Sequence, residues 1–320
     1  MRYVMERSAR LVVTLFLVSV ITFMLVVLLP GDPALQVLQG ADFTQEDYLA
    51  VRAELGLDQP LPLRYVDWLG GVVQGDLGTS YRTNQPVLEA IVDRAPVTFQ
   101  VMIVGLGIAL LVSVPMAMVA AYRAGTKTDT TVSTASLAML SIPNFMLALL
   151  LIFYLSAYLG WFPATGWVSF ASDPMGSLRA TLLPALALAG AEIGVYTRLL
   201  RNDMIATLQE DFITLARAKG ASTPRVLFRH ALRPSSLSLA TVLGVQIGVA
   251  LGGSVIVETI FALPGVGRLL IDSIFQRDLM IVQGVVLFIA VVYVVANFVV
   301  DLMYGFLDPR IRKGSARATA

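Results

Sequence analysis

The chain has 320 residues, of which 57% are hydrophobic and 14% are charged, and its mean hydropathy is +0.76. A soluble domain carries about 25% charged residues, so this chain has too few charged residues for an ordinary soluble domain. The formal net charge of +1, without a basic stripe of interleaved aromatic residues, gives no indication of nucleic-acid binding. Because the sequence contains no cysteine, disulfides, thiolate metal sites and cysteine nucleophiles are excluded.

Apolar segments long enough to span a lipid bilayer occupy most of the chain. A hydrocarbon core about 30 Å thick needs about 20 apolar residues in a helix. Five charge-free stretches meet this requirement: Leu11–Leu29, Val97–Ala121, Thr130–Ser172, Ser235–Val257 and Leu279–Val300. Met1–Arg10 is basic, as in a signal peptide, but no small-residue cleavage pattern follows Leu29, so we expect an uncleaved first span.

The third stretch is too long for a single helix. We expect a span from Val132 to about Leu159, followed by a break at three residues that disfavour helix, Gly160, Pro163 and Gly166. A sixth span, less apolar than the others, runs from Thr181 to about Leu200 and carries Glu192 inside it. Three prolines near or inside the spans are expected to break their helices: Pro115, Pro143 and Pro184.

The distribution of basic residues selects the side of the membrane on which the termini lie. With the N-terminus inside, sixteen of the 23 basic residues fall in cytoplasmic segments. The seven that fall outside are Arg52, Arg64, Arg82, Arg94, Arg179, Arg268 and Arg277. Cytoplasmic loops carry an excess of Lys and Arg, so the sequence predicts that both termini are cytoplasmic.

Residues 30–95 form an external segment that is too long for a simple loop. Thr44 and Asp47 have the spacing of a capping box, which predicts a helix beginning after Thr44. Three apolar residues of that helix share one face, Tyr48, Val51 and Leu55. Gly56 can end the helix, so the external segment is predicted to be folded.

A second polar segment, residues 203–233, is predicted to lie in the cytoplasm. Good helix formers run from Asp203 to Lys219 without Gly or Pro, and Gly220 then supplies a turn. Thr223-Pro224 offers an N-cap with proline at the first helical position, so a second short helix is expected to end at Pro234. The segment is therefore predicted to be a bent helix pair that projects from the membrane.

This helix pair resembles the cytoplasmic coupling motif of ABC importer permeases, which reads roughly Glu-Ala-Ala, three residues and then Gly. The matching residues are Ala216-Arg217-Ala218-Lys219-Gly220, Val226 and His230-Ala231-Leu232-Arg233-Pro234. Thr214-Leu215-Ala216 stands where the family has Glu-Ala-Ala, so the glutamate is absent. The peptide-importer branch of the family often departs in the same way.

Further motifs resemble the B-type permease subunit of dipeptide, oligopeptide and nickel ABC importers. They keep their order along nearly the whole chain: Pro30-Gly31-Asp32-Pro33, Leu55-Gly56-Leu57-Asp58-Gln59-Pro60, Gly75-Asp76-Leu77-Gly78, Ser141-Ile142-Pro143, Glu258-Thr259-Ile260-Phe261, Pro264-Gly265-Val266-Gly267 and Leu307-Asp308-Pro309-Arg310. The chain is thereby identified as a member of this family of binding-protein-dependent transport components of the bacterial inner membrane.

The resemblance implies a heteromeric importer with a second homologous permease, two ATPase subunits and an external solute-binding protein. ATP and Mg are expected on the ATPases and no cofactor or metal on this chain, whose nearest string to a phosphate loop, Gly125-Thr126-Lys127-Thr128, lacks the leading glycine. The residues expected to carry the coupling to the ATPases are Leu215, Ala216, Arg217, Ala218, Lys219, Gly220, Arg225, Arg229 and His230.

Four polar residues within or at the ends of spans are candidates for a pathway or gating role: Asn144, Glu192, Gln246 and Glu258. Each also has a structural interpretation. Glu192 could be a local ion-pair partner of Arg198, and Glu258 could lie at the external interface with Arg268. The two amide side chains could bond between helices, which is the commoner role of such groups in membranes.

Three classes of function are weighed at this point. The first is a permease subunit for short peptides, with glutathione-like compounds or nickel chelates as alternative substrates. The second is a self-sufficient secondary carrier or channel, for which only Glu192 offers an ion-coupling group at membrane depth. A membrane enzyme comes third, because the sequence shows no nucleophile–base–orienter set and no metal cluster.

The predicted fold is that of an all-α integral membrane protein. It has six transmembrane helices, a cytoplasmic coupling helix pair and a folded external segment between spans 1 and 2. The predicted segments are an N-terminal tail and span 1 (1–29), the external segment (30–95), a permease core (96–307) that includes the coupling helices (203–233), and a cytoplasmic C-terminal tail (308–320).

Overall fold

The computed structural model describes residues 2–28, 32–38 and 42–307. The predicted C-terminal tail lies outside the described residues, and so do Pro30-Gly31 and Asp308-Pro309-Arg310 of the family motifs. Four basic residues that contribute to the predicted orientation also lie there, Arg310, Arg312, Lys313 and Arg317.

The described residues are helical almost throughout. In chain order the α-helices are α1 (Arg2–Leu28), α2 (Pro33–Val37), α3 (Gln45–Glu54), α4 (Leu61–Val73), α5 (Val87–Tyr122), α6 (Lys127–Ser141), α7 (Asn144–Leu151), α8 (Pro174–Leu208), α9 (Asp211–Ala218), α10 (Thr223–Arg225), α11 (Leu232–Ile260), α12 (Val266–Gln276) and α13 (Leu279–Leu307). Two stretches are π-helical, Ile152–Tyr158 after α7 and Val226–Ala231 between α10 and α11.

Five helical stretches within the described residues are long and apolar enough to cross a membrane: Arg7–Leu28, Val87–Tyr122, Pro174–Leu208, Thr223–Ile260 and Leu279–Val300. The pair formed by Lys127–Ser141 and Asn144–Tyr158 passes the same test together and supplies a sixth span if it counts as one. The all-α membrane fold is therefore confirmed, with six spans on that count.

The third span bends by 98° between α6 and α7, at the position where Pro143 was predicted to break the helix. Ile142 is extended there, with ψ 117°, and Pro143 precedes the first residue of α7. Because the proline ring clashes with a helical conformation of the preceding residue, the break falls at Ile142. Beyond the π-helical stretch the chain turns at Gly160, where φ is +65°, as the glycines there predicted.

The other two prolines do not break their helices, so that part of the prediction is wrong. Helix α5 continues through Pro115, and α8 continues through Pro184. A proline removes one backbone hydrogen bond, and in a membrane helix neighbouring groups can satisfy the carbonyl that it frees.

The predicted helix pair at 203–233 is present, but its boundaries were predicted wrongly. Instead of running unbroken from Asp203 to Lys219, the chain ends α8 at Leu208 and starts α9 at Asp211, because Glu210 is extended with ψ 148°. The second helix does not end at Pro234. It continues from Thr223 to Ile260 as the fifth apolar span, with the π-helical stretch Val226–Ala231 just before the proline.

The helix predicted from the capping box is α3. Thr44 Oγ1 accepts a hydrogen bond from the Asp47 backbone N–H, and the Asp47 carboxylate accepts one from the Thr44 N–H at 2.8 Å. The Thr44 hydroxyl also donates to the Asp47 carboxylate, at 2.7 Å, and the two bonds donated by the Thr44 N–H and hydroxyl hold the pKa of Asp47 below its usual value. Gly56 follows the helix with φ +64°, a conformation that glycine adopts without strain.

The chain divides into two compact units, and the first comprises Met1–Pro96 and Pro264–Phe298. Its α1 packs on α4 through an aromatic cluster in which the ring centroids of Phe23 and Tyr65 are 5.5 Å apart and those of Phe23 and Trp68 are 5.7 Å apart. A hydrogen bond of 2.7 Å joins the hydroxyls of Ser19 and Tyr65. A second buried cluster of this unit forms around Val87, Ile91, Val266, Ile281 and Val285.

The second unit comprises Val97–Leu263 and Val299–Ala320, and α8 is its central helix. Helix α8 contacts α6, α7 and α11, and among the five long apolar helical stretches it is the most buried. Its small residues allow this close packing. A Cβ atom on Gly194 would lie 2.6 Å from the Ser136 carbonyl oxygen of α6, so only glycine fits at this contact.

Replacing Gly194 with alanine is therefore expected to destabilise the α6–α8 contact by about 1–3 kcal/mol, because a backbone atom cannot move aside as a flexible side chain can. The measurement is the thermal unfolding midpoint of the purified protein in detergent. Gly252→Ala is the matched control, since a Cβ atom at that position meets nothing within 4 Å. Equal midpoints for the two variants would contradict the prediction.

Candidate functional site

The turn after α9 has the geometry of a Schellman motif. Lys219 caps α9, the Gly220 N–H donates to the Arg217 carbonyl at 2.9 Å, and the Ala221 N–H donates to the Ala216 carbonyl at 3.0 Å. Gly220 has φ +82°, the left-handed conformation that this motif requires after the helix. The glycine of the predicted coupling motif is therefore explained by the backbone turn that it permits.

Buried apolar residues and one hydrogen bond anchor this segment to the second unit. Ile213 of α9 is fully buried, and Val226 after the turn is 2% exposed. The hydroxyls of Thr207 and Ser235 lie 2.9 Å apart and join the end of α8 to the start of α11. The segment is thus fixed at both ends, with the turn between them facing outward.

The predicted coupling residues form most of that outward surface. Ala216 and His230 are half-buried, and the remaining seven are exposed: Leu215, Arg217, Ala218, Lys219, Gly220, Arg225 and Arg229. Three exposed apolar side chains lie on the same segment, namely Leu215 (56%), Phe212 (46%) and Phe228 (64%). Exposed apolar groups surrounded by polar ones are typical of a protein-binding surface.

Phe212 and Phe228 were not among the predicted coupling residues. The sequence offered one signal for these two residues, because large aromatic side chains stand out in a segment that is otherwise charged. In the structure Ile213 lies on the buried face of α9, and Phe212 lies on the exposed face.

An ion pair near the start of α6, between a buried carboxylate and a half-buried guanidinium, was also missed. Arg201 of α8 donates from Nε to Asp129 Oδ1 at 2.5 Å and from a terminal nitrogen to Oδ2 at 2.7 Å. The Gly125 N–H donates to the same carboxylate at 2.9 Å, and the Asp129 side chain is 7% exposed. The pair therefore joins α6 to α8 a short distance ahead of α9.

Two of the candidate pathway residues form a pair between spans. Gln246 Nε2 of α11 donates to Glu192 Oε2 of α8 at 2.7 Å, and both side chains are half-buried. The structure thus gives Glu192 a partner on another helix, whereas the sequence suggested a neighbour in its own helix. An amide and a carboxylate that meet at membrane depth provide a polar position within the second unit.

Asn144, the third candidate on these helices, lies against Gly253 of α11, which is two helical turns beyond Gln246. A Cβ atom built on Gly253 of α11 would lie 3.6 Å from Asn144 Nδ2 and 3.4 Å from the Leu188 side chain. Leu188 precedes Glu192 by one turn of α8. Asn144, Glu192 and Gln246 therefore lie on three helices that contact one another, α7, α8 and α11, and a direct hydrogen bond joins Glu192 and Gln246.

Glu258 is a separate case. It is fully buried in the last turn of α11 and accepts a hydrogen bond from Thr98 Oγ1 of α5 at 2.7 Å. The position at the external interface that the sequence suggested for Glu258 stays a prediction. A buried, hydrogen-bonded carboxylate joins α5 to α11, and its suggested pairing with Arg268 stays a prediction.

Replacing Gln246 with leucine is expected to lower the stability of the protein by about 1 kcal/mol, because the Glu192 carboxylate then loses its donor. Glu192→Gln should change stability less, since an amide oxygen can still accept from Gln246. Thermal unfolding in detergent measures both variants. Equal losses in the two would show that the charge of Glu192, rather than the hydrogen bond, holds the helices together.

Comparison with known protein families shows a match along nearly the whole chain. Residues 113–313 match the model of the binding-protein-dependent transport system inner membrane component, and residues 1–102 match the model of the N-terminal part of such membrane components.

Individual relatives match over the same length. A protein of Brucella abortus, named as a candidate permease of a peptide transport system, is 41% identical over 97% of this chain and 98% of its own. The oligopeptide transport system permease protein AppB of Bacillus subtilis is 38% identical, over 97% of this chain and 98% of its own. The glutathione transport system permease protein GsiC of Salmonella choleraesuis is 36% identical, over 98% of this chain and 99% of its own.

Proposed function

The chain belongs to the family of binding-protein-dependent transport system inner membrane components, and we propose that it is a permease subunit of an ATP-driven importer of short peptides. The observation that carries the proposal is the identity of 38–41% over nearly full length with proteins named for peptide and oligopeptide transport. The outward-facing turn after α9 supports it, since a permease without its own ATPase needs a surface that receives one.

Family membership implies ATPase and solute-binding partners, with ATP and Mg on the ATPases. We extend this to a complex of two similar permeases, two ATPase subunits and one external binding protein. The predicted basic bias supports an orientation with both termini and α9 in the cytoplasm and residues 30–95 outside. In that orientation α9 and its turn face the ATPases.

Coupling would operate through the rigid connection between the turn and the spans. A push on Leu215 or Gly220 acts on α9, which the buried Ile213 ties to the second unit. The run Thr223–Ile260 is continuous, so a tilt at Arg225 or Arg229 moves the whole fifth span. Because packed helices switch between discrete arrangements, such a tilt can alternate the access of a central pathway between the two sides.

Reconstitution into liposomes tests the proposal. The complete complex is expected to take up a labelled dipeptide only with ATP and the binding protein present, and the purified chain alone should take up none. Uptake by the chain alone, driven by an ion gradient, would identify a secondary carrier instead.

Competition identifies the substrate class. Unlabelled dipeptides, longer peptides, glutathione and a nickel chelate are added in turn to the complete complex. Short peptides should compete most strongly. Glutathione is the second candidate, because one relative over 98% of this chain is named for its transport, and preferential competition by glutathione would replace the peptide assignment.

A further inference from the structure

A cavity of about 690 Å³ lies entirely within the first unit. One face of α4 forms a wall of it, since Asp67 and Trp68 lie three and four residues after Arg64 and therefore share its side of the helix. Phe23 of α1 and Gln283 of α13 line the cavity as well. The volume falls in the range of about 300–1,000 Å³ that is typical of sites for small organic molecules.

The walls of the cavity are held in place by contacts within the first unit. The Trp68 ring packs on Phe23 with 5.7 Å between the ring centroids. The Asp76 carboxylate, another wall of the cavity, accepts a hydrogen bond from the Gly78 N–H at 2.8 Å. A Cβ atom at Gly78 would lie 3.4 Å from Met280 Sδ, so the turn after α4 lies against the start of α13. The side chains that face the cavity are thus positioned before a ligand binds.

Gln283 is the buried polar side chain of this cavity. The residue is 5% exposed, and among the described residues its side-chain amide has no hydrogen-bond partner. Because buried polar side chains are nearly always hydrogen-bonded, an unpaired amide that lines a cavity points to a ligand that pairs with it. A carboxamide both donates and accepts, so the best partner offers an N–H and a C=O together, as a peptide group does.

The charged side chains of the cavity are mainly acidic. Three exposed carboxylates line it, Glu54, Asp67 and Asp76, together with one half-buried guanidinium, that of Arg64. Within the part of the chain that the structure describes, none of these four groups forms an ion pair. A matching ligand therefore carries a positive charge, and Arg64 can accept one negative group beside it.

We propose that this cavity binds a short peptide through its ammonium end and its peptide group. The rim carboxylates receive the ammonium group, Gln283 exchanges hydrogen bonds with the peptide group, and Trp68 packs against an apolar side chain. Arg64 pairs with the terminal carboxylate. The inference rests on the proposed function for its choice of a peptide. In the proposed orientation residues 30–95 lie outside, on the side from which the peptide is delivered.

Fluorescence of Trp68 in the purified full-length protein tests the inference at this cavity alone. The chain has three tryptophans, and the changes Trp161→Phe and Trp167→Phe leave Trp68 as the only one. The dipeptide alanyl-leucine, added without ATP, ATPases or binding protein, should change the Trp68 emission until the site is saturated. N-acetyl-alanyl-leucine lacks the ammonium group and should bind about tenfold more weakly.

Three variants in this background identify the groups that bind. Gln283→Leu should weaken alanyl-leucine binding about tenfold, because the peptide group loses its hydrogen bonds. Glu54→Gln should weaken it about threefold, the effect of one exposed charge. Glu46→Gln is the matched control and should bind as the parent does, because both residues are exposed glutamates of α3 and only Glu54 lines the cavity. Unchanged affinity in both Gln283→Leu and Glu54→Gln would overturn the inference.

Other occupants give different results in the same assay. Putrescine is a cation without a peptide group, and equal affinity for putrescine and alanyl-leucine would replace the peptide site with a general cation site. A change in Trp68 emission on adding the binding protein, with none on adding alanyl-leucine, would assign the cavity to a protein contact instead.

The binding assay and the uptake assay can fail separately. ATP-driven uptake by the complete complex without alanyl-leucine binding at Trp68 would overturn this inference and leave the proposed function standing. Binding at Trp68 that depends on Gln283, in a complex that takes up no peptide, would support the site and overturn the proposed transport.

Discussion

Replacing Gly220 with valine is expected to lower ATP-coupled uptake by roughly thirtyfold while the protein still inserts into the membrane. The reason is the backbone conformation, since φ is +82° at Gly220 and a β-branched residue is strained there by about 2 kcal/mol. Space is not the reason, because a Cβ atom at Gly220 meets nothing within 4 Å. The variant therefore loses the turn, and with it the position of the residues that follow α9.

The measurement is the number of peptides taken up per ATP hydrolysed in proteoliposomes that contain the complete complex. Gly220→Asn is the matched control, because asparagine tolerates the left-handed conformation better than other residues with a side chain and should keep much of the coupling. Gly220→Trp adds bulk to the same strain and should also be uncoupled. Normal uptake by a stably inserted Gly220→Trp or Gly220→Val variant would contradict the role of this turn.

Features set by neighbouring residues were predicted correctly from the sequence. The capping box at Thr44 and Asp47, the turn at Gly220 and the break near Gly160 each depend on a few adjacent residues whose backbone preferences agree. Hydrophobicity identified the spans because a helix in lipid has to present apolar side chains along its own length, which is also a local property of the sequence.

Features that depend on packing were not predictable in this way. Pro184 resembles Pro143 as a local signal, yet only Pro143 marks a break. Pro184 is buried within α8, whereas Pro143 follows an extended residue, and no property of either proline alone distinguishes them. The helix is interrupted at Glu210, where the sequence has neither glycine nor proline. The continuous helix expected from Asp203 was therefore wrong.

The same difference between local features and packing features holds within the candidate site. The residues proposed for coupling were singled out by their motif, whereas the partner of Glu192 was not predicted, because Gln246 is 54 residues away on another helix. Asp129 and Arg201 are 72 residues apart and were not singled out at all. Polar partners in a helical membrane protein meet across helices, and one sequence contains no spacing rule that pairs them.

The ion pair between Asp129 and Arg201 leads to the prediction with the largest expected effect on stability. Arg201→Ala should destabilise the protein by about 3–5 kcal/mol, because it leaves the Asp129 carboxylate buried without its cation. Asp129→Asn should have a smaller effect, since the amide removes the buried charge and can still accept a hydrogen bond from Arg201. Thermal unfolding in detergent, combined with the amount of protein in the membrane fraction, measures both variants.

The double variant Asp129→Asn with Arg201→Gln separates the ion pair from the shape of the site. If the pair acts through its charges, removing both should restore much of the stability that Arg201→Ala loses, because no uncompensated charge remains buried. Arg201→Ala as stable as the wild type would contradict the assignment. A stable double variant with uncoupled ATP hydrolysis would give the pair a further role, because Arg201 lies on α8 ten residues before α9 begins.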